Sequence, residues 1–340
     1  SSLLTRTNRQ PLTANRFPGD PWSDAMRRGD FESAWRICDA ILDRRRGVDC
    51  TRQPRHLQYV WDGSPLENRH VLVRCYHGLG DTLQFARLLA PLRARARRVT
   101  LWVQPALIDL LQSVRGVDEL LPLHDDAPRI DYDADIELME LPHVLRLRLS
   151  DLPGEIPYVY VTAHVMAATS RPRFAPRDRR ASDLRIGLVW RSGAWNPQRS
   201  IPTTMLAPLG EVPGVSWYSL QHPAESPPFD LIDLACQDFR ELAVRMHTLD
   251  LVISVDTASA HLAGALGLPV WTLLRDDCDW RWMSAQTMTP WYPTMRLFRQ
   301  PRSGDWEGVI ENVAAELSIA QAEKTSNRYS LAEIAEYAGR

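Results

Sequence analysis

Lysine is nearly absent from this sequence: it occurs only at Lys324, so arginine supplies almost all of the positive charge. An arginine guanidinium binds phosphate through two parallel hydrogen bonds, and any phosphate clamp in this protein is therefore expected to be made of arginines. An excess of either charge is absent too, since 40 basic and 42 acidic side chains give a formal net charge of −2. This balance does not favour nucleic acid as a partner, and we expect none.

Cysteines are few and scattered. The five of them never occur in a C-x-x-C pair, which argues against a disulfide framework or a structural zinc site and favours a reducing compartment. The longest apolar stretch, 262–274, contains Gly, Pro and Thr and is shorter than the roughly 20 residues that span a bilayer. The first residues also lack the pattern of a signal peptide. We therefore expect a cytoplasmic protein without a transmembrane segment, which would meet any membrane-bound substrate at the inner membrane surface.

The first 60 residues are expected to form a short helical extension. Apolar side chains recur at helical spacing from Ser23 to Arg46, with a break at Gly29-Asp30. This pattern resembles one tetratricopeptide-type hairpin, and a plain helical extension is the alternative. A single hairpin cannot bury its own apolar face, so it must pack on the next domain or on additional helices. A protein partner that binds through this hairpin is a further expectation.

The rest of the chain alternates strand-like and helix-like segments, first in residues 61–165 and again in residues 184–317. A chain of 340 residues is long enough for two such domains, each with its own core. The alternation predicts two α/β, Rossmann-like, doubly wound domains facing a cleft. Residues 166–183, rich in Pro and Arg, are predicted to link them, and residues 318–340 to form a C-terminal helical tail.

Residues 249–274 are the most informative stretch. Leu251–Val255 is an apolar run typical of a buried parallel strand, and the small residues that follow predict a helix that ends at Gly267 before Pro269. The N-terminus of a helix attracts anions through its unpaired amides and its dipole. The small side chains of residues 258–260 let a diphosphate approach those amides. This turn therefore predicts an anion site at the carboxyl end of a strand.

Two side chains of the turn have alternative interpretations. Asp256 either caps the helix or accepts hydrogen bonds from a sugar or ribose hydroxyl. His261 either points to the mouth of the same site or is a packed core histidine.

Two further motifs follow predicted strands. Gly78-Leu79-Gly80-Asp81 lies before a helix, where glycines allow close approach of a ligand and Asp81 either caps the helix or takes a proton from a hydroxyl group. In the second domain, Arg191 and Arg199 belong to a long polar loop, and they either clamp a diphosphate or are solvated. The acidic stretch 276–282 lacks histidine and regular ligand spacing, so we expect a loop beside the site and no metal.

Three segments together resemble the heptosyltransferase-like family of inverting glycosyltransferases with the GT-B fold: residues 78–81, the loop 190–202, and Asp256-Thr257 to His261-Leu262-Ala263-Gly264 with Pro269. The resemblance covers roughly residues 65–317 and is closest to bacterial members that carry tetratricopeptide repeats ahead of the transferase region. It implies a nucleotide-sugar donor held by the second domain, an acceptor facing the first, and no catalytic metal or other cofactor.

The resemblance also implies roles for individual residues. Asp81 matches the general base, Arg199 matches a position where heptosyltransferases usually have Lys, and both are expected to be catalytic. The expected donor-binding residues are Gly78, Gly80, Arg191, Ser192, Asp256, Thr257, Ala258, Ser259 and His261. The acceptor is expected to be a glycan, a lipid-linked molecule or a protein. Two other functions fit the same fold: a catalytically inactive nucleotide-sugar-binding or scaffold protein that uses its N-terminal hairpin for partners, and a nucleotide-sugar epimerase.

Overall fold

The computed structural model describes residues 20–161, 183–194, 196–221, 226–284 and 286–338, with side chains up to residue 324. The chain divides into two compact units. The first contains residues 1–160 and 279–286, and the second contains residues 161–278 and 287–340. The predicted linker, 166–183, lies outside the described residues except for Asp183.

The first unit begins with a helical hairpin of α1 (Pro21–Arg27) and α2 (Phe31–Arg45). The Asp20 side chain accepts from the amides of Trp22 and Ser23 and so caps α1. Gly29 follows α1 with φ +76°, a conformation that glycine adopts without strain, and Asp30 caps α2. The predicted break at Gly29-Asp30 is confirmed.

The hairpin packs against the rest of its own unit. The indole Nε1 of Trp35 donates to the carbonyl of Leu147 at 2.8 Å. The guanidinium of Arg45 lies 2.7 Å from the carboxylate of Glu140, and both side chains are buried. The apolar face of the hairpin is thus covered by the rest of the first unit. Such a cover is required of a tetratricopeptide hairpin and of a plain helical extension alike. A further protein partner for the hairpin stays a prediction.

Four parallel strands form the sheet of the first unit, in the order β3-β2-β1-β4. Their bounds are β1 His70–Arg74, β2 Arg98–Val103, β3 Glu119–Pro122 and β4 Ala134–Glu137. The central strand β1 carries three consecutive buried residues, 71–73, as expected of a strand covered on both faces.

The helices of this sheet are α3 Leu79–Phe85, α4 Leu89–Arg93, α5 Ile108–Leu111 and α6 Leu141–Val144. The sequence from Thr82 to about Arg95 predicts a helix with an irregularity at Pro91. The structure has two helices there, which a 3-10 turn at Ala86–Leu88 separates. Pro91 lies within the first turn of α4, where its missing N–H costs no hydrogen bond.

The second unit has a sheet of seven strands in the order β10-β11-β9-β8-β5-β6-β7. All neighbours are parallel except β10 and β11. Without the edge strand β10, this is the order 3-2-1-4-5-6 of a Rossmann domain. The bounds are β5 Leu184–Val189, β6 Val215–Ser219, β7 Ile232–Asp233, β8 Leu251–Val255, β9 Val270–Leu274, β10 Met288–Thr289 and β11 Tyr292–Arg299.

The helices of the second unit are α7 Ala207–Gly210, α8 Phe239–Met246, α9 Ala258–Ala265 and α10 Trp306–Ala338. Helix α10 joins the core through one stripe of buried residues: Val309, Ile310, Val313 and Leu317. The sequence predicts a helix near residues 305–317 ahead of the C-terminal helical tail. In the structure the two are one continuous helix, because residues 318–338 contain neither glycine nor proline. Among the described residues, no helix is both long and apolar enough to cross a membrane.

Candidate functional site

Each sheet reverses its strand order beside its first strand, between β1 and β4 in the first unit and between β5 and β8 in the second. At such a switch point the loops leave in opposite directions, and ligands of open α/β sheets bind in the crevice that this opens. The predicted motifs occupy these loops: residues 78–81 follow β1, residues 191–199 follow β5, and residues 256–259 follow β8. Each unit therefore has its predicted residues where its own topology favours a ligand.

The predicted anion site begins where β8 ends. Thr257 is the N-cap of α9, yet its side chain makes no capping hydrogen bond. Its hydroxyl lies 3.0 Å from the hydroxyl of Ser254 instead. The first turn of α9 is consequently not covered by a capping side chain, and the residues at its tip, Ala258 and Ser259, are partly exposed. This arrangement suits an anion.

Asp256 does not cap the helix. Its carboxylate Oδ2 lies 3.3 Å from Nη1 of Arg199, and the same guanidinium nitrogen donates to the carbonyl of Asp256. Asp256 is only 6% exposed. The loop after β5 and the turn after β8 thus meet, and Arg199 is held beside the tip of α9 instead of being solvated.

His261 is buried, which corresponds to the packed alternative. Its Nδ1 lies 2.9 Å from the hydroxyl of Tyr292, and its Nε2 lies 3.9 Å from Oδ1 of Asp256. Only 2% of the surface of His261 is exposed, and its ring packs beside the carboxylate of Asp256.

Helix α9 packs unusually closely on β11 at Gly264. A Cβ added to this glycine would lie 2.5 Å from the ring of Tyr292, a distance that real side chains do not reach. Gly264 therefore fixes how near the helix comes to the sheet, and with it the position of the helix tip.

The loop after β5 is closed by its own hydrogen bonds. The amide of Ser192 donates to the hydroxyl of Ser200 at 3.0 Å, and the hydroxyl of Ser192 donates to the carbonyl of Asn196 at 2.6 Å. The amide of Arg191 donates to the side-chain oxygen of Gln221. The side chain of Arg191 is exposed, and no ion pair of its guanidinium is found within the described part of the chain. Ser192 shapes this loop, while Arg191 is accessible to a ligand.

In the first unit, Asp81 is the third residue of α3. Its Oδ2 accepts from the amide of Gly78 at 3.0 Å, which closes the first turn of the helix. Gly78 has φ −69°, so its conformation does not require glycine. A Cβ at Gly78 would lie 3.1 Å from Oδ2 of Asp81, and the glycine therefore leaves room for the carboxylate. Gly80 lies beside Asp81 in the same turn.

Asp81 also has an ionic partner that sequence reasoning missed. Nη2 of Arg281 lies 2.7 Å from Oδ1 of Asp81, with 10% and 22% of the two side chains exposed. Arg281 belongs to residues 279–286, which are part of the first unit. The sequence placed a loop beside the site at 276–282, but no periodic pattern links residues 200 positions apart.

A histidine and a glutamate form a second pair at the same switch point. Nδ1 of His77 lies 2.9 Å from Oε1 of Glu137, at the end of β4. Burial alone would lower the pKa of His77, but the carboxylate of Glu137 outweighs it and Asp81 adds to the effect, so the pKa is raised. The Nε2 of His77 is buried and has no hydrogen-bond partner among the residues that the structure describes. The sequence feature that could have indicated this pair is Glu137, an acidic residue at the end of the strand β4.

Potential metal ligands do not cluster in the described residues, where no group of three or more His, Cys, Asp or Glu side chains surrounds a common point. The acidic stretch after β9 is engaged with arginines, since Asp277 pairs with Arg275 and Asp279 with Arg281.

A cavity of about 370 Å³ lies behind α4 in the first unit, lined by residues that include Arg87, Leu152 and Tyr158. None of the predicted site residues lines it, so it is separate from the switch point that carries Asp81.

Each unit is a Rossmann-like α/β domain, and the chain has the GT-B type of fold, as the sequence predicted. No protein-family model matches the chain. Two solved structures resemble it: a glycosyl transferase family 9 protein from Veillonella parvula, with TM-score 0.54, 14% identity and coverage of 76% of this chain and 99% of that chain, and the E. coli ADP-heptose lps heptosyltransferase II, with TM-score 0.53, 13% identity and coverage of 75% and 99%. At these identities the likeness establishes the fold.

In sequence, the chain is 25% identical over 295 residues to Protein FlbA of Caulobacter vibrioides. The match covers 76% of this chain and 48% of that protein, so the chain spans about half the length of this curated relative.

Proposed function

We propose that this protein is a metal-independent, inverting glycosyltransferase that moves a sugar from a nucleoside-diphosphate donor to an acceptor hydroxyl. The observation that carries the proposal is the tip of α9, where the side chain of the N-cap residue Thr257 makes no capping hydrogen bond and beside which Arg199 is held. A helix N-terminus and a guanidinium together stabilise a diphosphate, both when it binds and when it leaves. The fold shared with heptosyltransferases supports the same function.

The reaction would use Asp81 as the general base. Its carboxylate takes the proton of the acceptor hydroxyl, whose oxygen forms a bond to the anomeric carbon from the face opposite the nucleotide. The bond from that carbon to the phosphate oxygen breaks, and its electron pair leaves with the nucleoside diphosphate. The amides of residues 258–260 and the guanidinium of Arg199 stabilise the charge that develops there, with Arg191 as an accessible second cation.

The proposed acceptor is a glycan, a lipid-linked molecule or a protein, and the proposed place of reaction is the cytoplasm or the inner membrane surface. A panel of ADP-, UDP-, GDP- and dTDP-sugars in a thermal-shift assay identifies the donor, because a ligand that binds the folded state raises the melting temperature.

The substitution Asp81→Asn tests the mechanism. We expect donor binding to be retained and transfer to fall by at least about a hundredfold, since general-base catalysis contributes about 10²–10⁴ in rate. Asp135→Asn is a matched control in the same unit, because Asp135 is also paired with an arginine and its side chain has the same 22% exposure as that of Asp81. Unchanged transfer in Asp81→Asn would contradict the mechanism.

A second candidate function is binding of a nucleotide sugar without turnover. The observation that favours it is that both carboxylate oxygens of Asp81 are engaged, one by the amide of Gly78 and one by Arg281. In that case a donor raises the melting temperature and no acceptor consumes it. Incubation with the donor alone distinguishes an epimerase from both a transferase and a binding protein, because only an epimerase would convert the donor sugar without any acceptor.

A further inference from the structure

We propose that Arg281 is a positioning residue for Asp81, and that the N-terminal hairpin serves the acceptor site by holding the segment that carries Arg281. Residues 279–284 are named here the arginine strap. The proposal rests on the proposed glycosyltransferase function and adds to it the group that orients the base.

The contacts of Asp81 fix its carboxylate from two sides. The amide of Gly78 donates to Oδ2 and Nη2 of Arg281 donates to Oδ1, so the side chain is held in one orientation. Each carboxylate oxygen has a second lone pair, and an acceptor hydroxyl can therefore still donate to it. A neighbouring guanidinium favours the ionised form of a carboxylate, which is the form that accepts a proton.

The strap is braced by its own first residue. The carboxylate of Asp279 accepts from the amide of Arg281 at 3.1 Å and lies 3.0 Å from its Nε. These contacts start the single 3-10 turn Trp280–Trp282 and aim the guanidinium at the same time. Arg281 thus bridges two carboxylates, Asp279 within the strap and Asp81 at the switch point.

The hairpin and α3 hold the strap between them. The indole of Trp280 meets the indole of Trp22 edge to face, with ring centroids 5.3 Å apart. On α3, the ring of Phe85 is stacked with Trp280 at 6.4 Å. The amide of Ser284 donates to the carbonyl of Arg27, at the end of α1, at 3.2 Å. One end of the sequence therefore supports a turn that lies more than 250 residues later.

The strap ends in a strained conformation. The backbone of Met283 has φ +56°, a conformation that residues other than glycine rarely adopt. The side chain of Met283 is buried. A residue keeps such a conformation only where its surroundings fix it, and such residues cluster at functional sites. The strain at Met283 indicates that the surroundings of the strap hold the position of Arg281.

The test compares three arginine variants. In Arg281→Gln we expect kcat to fall about tenfold to a hundredfold with an unchanged KM for the donor, because misplacement of a catalytic group costs rate and not donor binding. The acidic limb of the pH–rate profile moves to higher pH, since the carboxylate loses the cation that favours its ionised form. Arg281→Lys restores part of the rate. The matched control is Arg74→Gln, which removes the partner of Asp135, an ion pair of the same exposure in the same unit.

The hairpin is tested separately with Trp22→Leu, which removes the edge contact to Trp280. We expect a smaller fall in kcat of the same kind, with donor KM unchanged and with a folded fraction matched by circular dichroism. Wild-type kcat and an unchanged pH–rate profile in Arg281→Gln would overturn the role of Arg281. Wild-type kcat in a folded Trp22→Leu would overturn the role of the hairpin.

A measurement that does not depend on enzymatic activity tests the role of Arg281 separately from the proposed function. Aspartate labelled with ¹³C at Cγ gives an NMR titration for Asp81, assigned by Asp81→Asn. We expect the titration to move to higher pH in Arg281→Gln and to stay in place in Arg74→Gln. An unmoved titration contradicts the Arg281 proposal, whereas a moved titration without transfer to any acceptor in the wild type contradicts the proposed function alone.

Discussion

Nη1 of Arg199 lies 3.3 Å from Oδ2 of Asp256, although the two residues are 57 positions apart in the sequence. The contact is possible because β5 and β8 are neighbours in the sheet, so the loops that follow them start side by side. Asp256 thereby fixes a cation at the uncapped tip of α9. Two sources of positive potential, the guanidinium and the helix N-terminus, converge on one place.

Replacement of Arg199 is predicted to weaken binding of a nucleoside diphosphate. In Arg199→Gln we expect the Kd to rise by about tenfold or more, because a hydrogen bond to a charged group contributes about 1.5–3 kcal/mol. Isothermal titration calorimetry with ADP, UDP, GDP and dTDP measures it. Arg199→Lys keeps the charge and is expected to bind with intermediate affinity. Arg296→Gln, which breaks a surface ion pair with Glu316 in the same unit, is the control. Equal affinities in all four proteins would exclude Arg199 from the donor site.

Gly264→Ala is predicted to destabilise the second unit. The new methyl group would lie 2.5 Å from the ring of buried Tyr292, so helix or ring must shift. Overpacking of this kind costs about 1–3 kcal/mol, measured by urea unfolding. Gly308→Ala is the comparison, because Gly308 lies in α10 and the nearest atom to an added Cβ would be Oδ1 of the Asp305 side chain, at 3.2 Å. A stability of Gly264→Ala at or above that of the wild type would contradict the close packing of α9.

His77 is predicted to make stability depend on pH. Its pKa is raised in the folded state because the carboxylate of Glu137 outweighs burial. The protonated pair therefore contributes its full stabilisation below the unfolded pKa of about 6.5, and the contribution is lost as pH rises through the higher folded pKa. The difference in unfolding free energy between wild type and His77→Gln should therefore shrink as the pH rises from about 6.5 through the raised pKa of the folded state.

The control for His77 is the same comparison in a Glu137→Gln background. There the carboxylate is gone, and the contribution of His77 should no longer decrease toward high pH. A decrease of equal size in both backgrounds would show that Glu137 is not the partner that matters.

The stability of the hairpin is predicted to be coupled to that of the rest of the first unit through the ion pair of Arg45 and Glu140. Their side chains are only 6% and 4% exposed. Glu140→Gln leaves a buried guanidinium without its counter-ion and should cost about 3–5 kcal/mol. The double variant Arg45→Met/Glu140→Leu should lose less, because it leaves no unpaired buried charge. Urea unfolding of the wild type, Arg45→Met, Glu140→Leu and the double variant gives the coupling. A double variant as unstable as the sum of its single variants would mean that the pair is not coupled.

Much of the fold could be predicted because its signals are local. The break at Gly29-Asp30 and the helix end at Gly267 depend on residues that adopt or cap particular backbone conformations. Strands such as Leu251–Val255 are buried on both faces and are accordingly apolar except at Ser254. The bounds that differ reflect features with weaker signals: Pro91 is tolerated inside the first turn of α4, and α10 continues because nothing in its sequence stops it.

The site was predictable only in part, since its partners are distant in sequence. Because β5 and β8 are neighbours in the sheet, the loops of Arg199 and Asp256 lie side by side. The ion pair between the two residues also depends on the register of these strands, which no sequence motif encodes. His77 and Glu137 meet for the same reason, as residues at the ends of β1 and β4. Arg281 was the least accessible to prediction, because a short segment of the chain returns to the first unit after the second has begun.

That return means that the first unit is not one continuous stretch of the polypeptide. During synthesis, residues 1–160 leave the ribosome without the tryptophan that Trp22 and Phe85 pack against and without the arginine that holds Asp81. The amino-terminal unit can be completed only after residue 286 has emerged, when residues 161–278, about two thirds of the other unit, have already been translated. A truncated gene product that stops at residue 160 would therefore expose these aromatic faces to solvent.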